Sequence, residues 1–428
     1  MSENPIAAKV RIRLAWPCAA FLLMSSLDRA NVSFAATSMN AELGFTPAQY
    51  GFGAGILFVG FLAGQYPSVL LLQRVGMRAW LAACAILWGL ASGAMAFIET
   101  HAQFYTLRVL IGIAEGGLAP GIVIYLSQFA TERERATTFS LPMVAIPVSV
   151  VIGAPLSGWL MSQEATFGLS TWRFMFIAEA LPTLVAGLVA ALYFPRSPEE
   201  AAWLTPDERA WLARNAARSD TRKVRNDWRV LREPLVPLAG LLWFCLLSGS
   251  YGVIFWLPQV LSALTGHDLL AIGIIGALPW VGVALGIYFN AMHSDRTGER
   301  VWHVAAPALV AAVGVALAWV GGAGALALAA LVVAGLALGA AQGAFWALPA
   351  SYLTPAGFSV AVVAINTAGS AGGLVMPHLM GIARERSGGF AVPTLLVVTV
   401  MLLAALLVAA IHLRYRSRQN AAFSLTQK

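Results

Sequence analysis

Apolar runs of about 20 residues recur from one end of this chain to the other. A helix rises about 1.5 Å per residue, so a run of that length crosses the roughly 30 Å hydrocarbon core of a bilayer. Twelve such runs predict helices over about 14–37, 50–72, 79–98, 104–129, 137–161, 173–194, 235–264, 270–292, 302–320, 323–350, 359–383 and 391–413. Only 11% of the residues are charged, against about 25% in a soluble domain. That is too little charge to cover a water-facing surface. The expected fold class is an all-α membrane protein.

Basic residues concentrate in the cytoplasmic loops of membrane proteins. Placing the N-terminus inside puts 22 of the 27 lysines and arginines on the cytoplasmic side. Lys9, Arg11 and Arg13 precede the first span; Arg74 and Arg78 follow the second, Arg133 and Arg135 the fourth. Nine more lie between Arg196 and Arg232, Arg296 and Arg300 follow the eighth span, and four close the chain. Both termini are therefore expected in the cytoplasm. This asymmetry also accounts for the net charge of +7 without nucleic acid. The first run contains Asp28 and Arg29, so it reads as a retained membrane helix, not a cleaved signal. None of the three lysines follows a glycine, so a Walker A loop is absent. The three cysteines, Cys18, Cys84 and Cys245, are scattered through apolar runs and form neither a disulfide framework nor a metal-ligand spacing.

The loop over 195–234 divides the chain into six spans (1–194) and six more (235–428). Within it, Thr205-Pro206-Asp207-Glu208 predicts a capping box and a short amphipathic helix over about 206–218, at the cytoplasmic surface. Spans 2 and 3 are joined by Gln73-Arg74-Val75-Gly76-Met77-Arg78, and spans 8 and 9 by Asp295-Arg296-Thr297-Gly298-Glu299-Arg300. The shared x-Arg-x-Gly-x-Arg pattern is the weak internal symmetry expected of a transporter built from repeated halves.

Ionisable residues at membrane depth are costly, at roughly 2.5–3.5 kcal/mol each on insertion scales, and are functional candidates by default. They are Asp28, Arg29, Arg108, Glu115 and Glu179, all in the first half. Helical rise puts Asp28 about 13 Å and Glu115 about 16 Å from the outer ends of their spans. Two acids at similar depth, each with an arginine nearby, can surround one cavity. Arg108 and Glu115 are two turns apart and share a helix face. A carboxyl in a low-dielectric site favours its neutral form, and an adjacent arginine favours the ionised one. An anionic solute competing for the arginine therefore links its own binding to that of a proton, reciprocally. Arginine suits a carboxylate solute because its planar fork binds it bidentately. Glu179 is expected near the outer end of its span, meeting Arg173 or water. Tyr251, Trp256 and Gln259 are candidates to line the cavity from span 7, with aromatic-belt or packing roles as the alternative. His378 reads as interfacial.

Twelve spans, the six-plus-six division and the paired loop motif resemble the major facilitator superfamily. LDRANVSFA (27–35), RVLIGIAEGGLAPG (108–121), SDRTGERVWH (294–303) and FWALPASYL (345–353) are similar to its anion:cation symporter branch. The resemblance implies two pseudo-symmetric six-helix bundles and proton-coupled import of an organic anion by alternating access. It implies Asp28 and Glu115 as proton-coupling acids. Substrate would be held by Arg29, Arg108 and, from span 11, Asn366. Arg74, Asp295 and Arg296 would make gating contacts; Gln73 stands where the family pattern has an acid. Sugar-acid carriers of the branch tend to place a glutamine in span 5, which here has no Gln or Asn. That favours an aromatic carboxylate or a tartrate-like dicarboxylate over a sugar acid. The resemblance further implies a monomer in lipid, at the bacterial inner membrane, with no cofactor beyond the coupling proton. The alternatives are a proton/drug antiporter of the same fold, a transport-inactive solute sensor and, least, a membrane enzyme.

Overall fold

The computed structural model describes residues 5–131, 134–163, 167–215, 228–322 and 324–426. Arg133, Arg218, Arg222, Lys223, Arg225 and Lys428 lie outside the described residues, as do the side chains of Arg135, Arg416 and Arg418 and the expected helix end at 216–218. The described chain is helical, with no strand. It runs α1 (Pro5–Val10), a π turn (Arg11–Ala15), α2 (Trp16–Leu43), α3 (Pro47–Ala94), α4 (His101–Glu115), α5 (Leu118–Ser127), α6 (Arg135–Met161) and α7 (Thr171–Tyr193). After α8 (Pro206–Asn215) come α9 (Leu235–Thr265), α10 (Leu269–Thr297), α11 (Trp302–Val320), α12 (Ala325–Phe345), α13 (Ala347–Ala350), α14 (Pro355–Ser387) and α15 (Ala391–Thr426).

Ten helical stretches are long and apolar enough to cross a membrane. One of them, Pro47–Phe97, contains two of the expected spans, and α2 falls outside the ten. Both differences have local causes. In α2, Ser25, Ser26, Asp28, Arg29, Asn31 and Ser33 dilute the apolar run. In α3, spans 2 and 3 are two helices joined at a kink, Gly76, whose φ of 79° and ψ of 168° are not helical. Gly298, in the equivalent loop motif, has φ 69°. The repeated glycine of x-Arg-x-Gly-x-Arg thus occupies a positive-φ turn in both places, which a side chain would strain. The fourth span, His101–Ser127, carries one local interruption. It breaks between Glu115 and Leu118, where Pro120 has no N–H to return to the Gly116 carbonyl.

The helices form two compact units. One holds Met1–Phe45, Ile56–Lys223 and Leu269–Gly273; the other holds Thr46–Gly55, Val224–Asp268 and Ile274–Lys428. The first turns of α3 and α10 thus belong to the opposite units from those the sequence boundaries assign. In the first unit, a Cβ on Gly158 would approach the Leu269 carbonyl, and one on Gly273 the Ala154 carbonyl. In the second, the Ala48 amide donates to Glu385 at 3.1 Å and the Tyr50 hydroxyl to the Phe255 carbonyl at 2.9 Å.

Each unit contains a helix pair held at backbone contact along a glycine stripe. In the first, Gly60 and Gly64 of α3 lie against the carbonyls of Val109 and Ile113, and Gly112 and Gly116 of α4 against those of Leu57 and Phe61. In the second, Gly282 and Gly286 of α10 face Val332 and Leu336, and Gly335, Gly339 and Gly343 of α12 face Pro279, Val283 and Ile287. Four-residue spacing keeps these glycines on one stripe, the small-residue mode of helix association in lipid. Large side chains fill the remaining space: Trp80, Trp88, Tyr125 and Phe194 in the first unit, and Trp243 stacked on Phe345 at 4.5 Å in the second.

The capping box before α8 forms as expected. The Glu208 amide donates to Thr205 Oγ1 at 3.2 Å, and the Thr205 amide to Glu208 Oε2 at 2.9 Å. The Lys9 ammonium, 2.7 Å from Glu208, ties α8 to α1 and holds that carboxyl below its usual range.

Gly112→Val should force α3 and α4 apart, because the new Cβ meets the Leu57 carbonyl. A loss of about 1–3 kcal/mol or more is expected, read as a lower melting temperature and a reduced monodisperse fraction in detergent. Gly389→Ala, where a Cβ meets nothing within 4 Å, should leave both unchanged.

Candidate functional site

The buried ionisable groups of the first unit come from three helices, α2, α4 and α7, and α2 supplies the centre. Asp28 and Asn31, three residues apart, share a face; Ser25 and Arg29, four apart, share another. Asp28 is 2% exposed. Its Oδ2 accepts from the Trp88 indole N–H at 2.8 Å, and its Oδ1 lies 3.5 Å from Asn31 Nδ2. The same Asn31 nitrogen donates to Glu179 Oε2 of α7 at 2.8 Å, and Ser157 of α6 donates to Glu179 Oε1 at 2.7 Å.

Arg29 points the other way, as the roughly 100° step between adjacent helical residues requires. Its Nη2 is 3.0 Å from Glu115 Oε2 and 3.4 Å from Ser25 Oγ, and its guanidinium carbon lies 5.3 Å from the centre of the Phe61 ring. Glu115 is the last residue of α4, between Gly112 and Gly116. The glycine contact with α3 and the helix break together set where its carboxylate ends. Its side chain is fully buried, while that of Arg29 is 16% exposed. Glu115 Oε1 has no hydrogen-bond partner among the described residues. Arg108, two turns earlier on α4, is 1% exposed, and its charge acts on Glu115.

Asp28, Arg29, Arg108 and Glu115 are therefore all buried or nearly so in one unit, and the Arg29–Glu115 pair is made. Glu179 is more deeply involved than its position in sequence suggests. It does not meet Arg173, which instead pairs with Glu42 at 3.0 Å and donates to the Ala96 carbonyl at 2.6 Å. A usable signal was present: Asn31, one turn from Asp28, and Ser157 are polar residues at the same membrane depth.

In the second unit Asn366 is half-buried on α14. Tyr251 is half-buried and stacks on Phe255 at 6.1 Å. Trp256 is 1% exposed, packs edge-on to Tyr50 at 5.2 Å and donates to the Pro377 carbonyl at 3.2 Å. It also lines a cavity of the second unit, beside Gly252, Val253 and Leu257. Gln259 accepts from Arg384 at 2.6 Å. His378 lies 3.3 Å from the Ala48 carbonyl and against the Phe52 ring. Of the expected gating residues, Arg74 is exposed, Asp295 pairs with Arg300 of its own loop at 2.6 Å, and Arg296 is exposed with Met292 Sδ 3.8 Å away.

Residues 18–377 match the family model of the Major Facilitator Superfamily. The chain is 36% identical over 392 residues to a putative tartrate transporter of Agrobacterium vitis, covering 91% of this chain and 90% of that one. It is 33% identical to the putative metabolite transport protein NicT of Pseudomonas putida, covering 88% of each. The crystal structure of a D-xylose-proton symporter superposes with a TM-score of 0.76 at 17% identity, covering 93% of this chain and 97% of that one. The chain belongs to the major facilitator superfamily: it is a multi-pass membrane transporter with a small-molecule substrate.

Removing one partner of a buried ion pair costs about 3–5 kcal/mol, because the other charge is left uncompensated. Arg29→Ala strands a fully buried carboxylate, whereas Glu115→Gln leaves an arginine with access to water. Arg29→Ala should therefore lower the melting temperature of the purified protein more than Glu115→Gln. The double variant should recover part of the Arg29→Ala loss.

Proposed function

We propose that this protein is a proton-coupled symporter that imports an organic anion by alternating access. The observation that carries this reading is the Arg29–Glu115 pair: a fully buried carboxylate whose cation still reaches solvent. A carboxylate solute binding Arg29 would take the cation from Glu115. A carboxylate left without its cation in a low-dielectric site takes a proton, so solute and proton bind together. Asp28, held by Trp88 and Asn31, is the second acid of the couple. Arg108 supports Glu115 from its own helix, and Asn366 and Tyr251 contribute contacts from the second half. Likeness to a putative tartrate transporter supports a small dicarboxylate as the first solute to test, with aromatic carboxylates next. The absence of Gln and Asn from the α6 span supports the same order over a sugar acid. We place the protein at a bacterial inner membrane as a monomer, both termini inside, on the strength of its basic-residue asymmetry and its bacterial relatives. Arg74, Asp295 and Arg296 are the proposed gating contacts on the cytoplasmic side.

Proteoliposomes with an imposed inward proton gradient should accumulate tartrate or phthalate. Asp28→Asn and Glu115→Gln should abolish accumulation. Glu115→Gln should keep solute counterflow better than Arg29→Ala, since only the latter removes the anion's partner. Accumulation by Glu115→Gln against a gradient would remove Glu115 from the coupling role. Uptake blocked by lipophilic cations and not by carboxylates would point to a drug antiporter.

A further inference from the structure

Three buried acids face two arginines in the first unit: Asp28, Glu115 and Glu179 against Arg29 and Arg108. Glu115 is the acid with a guanidinium at 3.0 Å. Asp28 and Glu179 make only neutral contacts among the described residues. On α2 the neighbour of both is Asn31; α3 presents Trp88 and Ser92 to Asp28, α4 brings the Glu115 charge to bear on it, α6 presents Ser157 to Glu179, and the one arginine of α7, Arg173, is engaged by Glu42. The two carboxyls are joined by a single amide nitrogen, 2.8 Å from one and 3.5 Å from the other. Ionising both would set two negative charges across one amide in a low-dielectric site, and like charges so placed disfavour the second ionisation.

We propose that Asp28 and Glu179 share one proton across the Asn31 amide, and that this proton completes the charge balance of the first bundle. With one proton bound, three acids and two arginines sum to zero. The proton leaves water and forms the O–H of one carboxyl; its release restores the carboxylate. Asn31 is suited to the exchange. Its Nδ2 donates to ionised oxygens, while its buried Oδ1 has no partner among the described residues. Glu179 is thus a proton-holding group, one step removed from the solute. As a deepening of the symport reading, it is where the coupled proton waits before the anion reaches Arg29.

Infrared spectra of the purified full-length protein in lipid, without solute, test this directly. At neutral pH the wild type should show the carbonyl band of a protonated carboxyl. Glu179→Gln, which keeps hydrogen-bonding capacity toward Asn31 and Ser157, should lose that band. Glu179→Asp should restore it at a shifted position, and Glu42→Gln should leave it unchanged. A band undiminished in Glu179→Gln, or absent from the wild type, overturns the proposal. If the band behaves as expected but vesicle uptake ignores a proton gradient, the shared proton stands and the symport reading fails. If uptake is proton-driven while Glu179→Gln keeps the band, the reverse holds.

Discussion

A buried carboxylate held by one arginine organises the first bundle. Glu115 sits where α4 ends, and reaching Arg29 requires α4 to lie close to both α2 and α3. The glycines at Gly60, Gly64, Gly112 and Gly116 provide that approach by letting the α3 and α4 backbones touch. Pro120 sustains the break that follows the acid. The packing and the electrostatics are therefore one arrangement. The stripe that brings the helices together also fixes the depth at which the charge is buried, and lipid offers no water to compensate an error.

The second bundle repeats the scaffold without the charges. The α10–α12 contact uses the same glycine spacing as α3–α4, and Gly298 repeats the turn of Gly76. Yet polar residues there are neutral or sit at helix ends, as with Asn366, Gln259 and Arg384. Such a division suits a transporter in which one half carries the ion chemistry and the other shapes the solute site. Symmetry of fold with asymmetry of charge follows from how each buried charge is costed in a membrane.

Much of this was legible in sequence because a bilayer imposes length and composition. Apolar runs of about 20 residues marked the spans, and charges within them marked the buried polar cluster of the first unit. The capping box at Thr205–Glu208 was equally plain, because it is a contact between neighbours in sequence. What escaped depends on rotation and on partners far apart in the chain. The facing of Glu179 toward Asn31, 148 residues away, is set by how α7 rolls against α2, which no local pattern encodes. Trp256 could be read as lining a cavity or as packing; it packs against Tyr50 and Phe390 and also lines a cavity, and tertiary contacts decide both.

The central claim is that a proton and an organic anion cross together. A pH-sensitive dye enclosed in proteoliposomes reads it most directly when tartrate or another transported carboxylate is added outside with no gradient imposed. The account predicts internal acidification that tracks anion entry and vanishes when Asp28 is neutralised. Anion entry with no accompanying proton movement would contradict it.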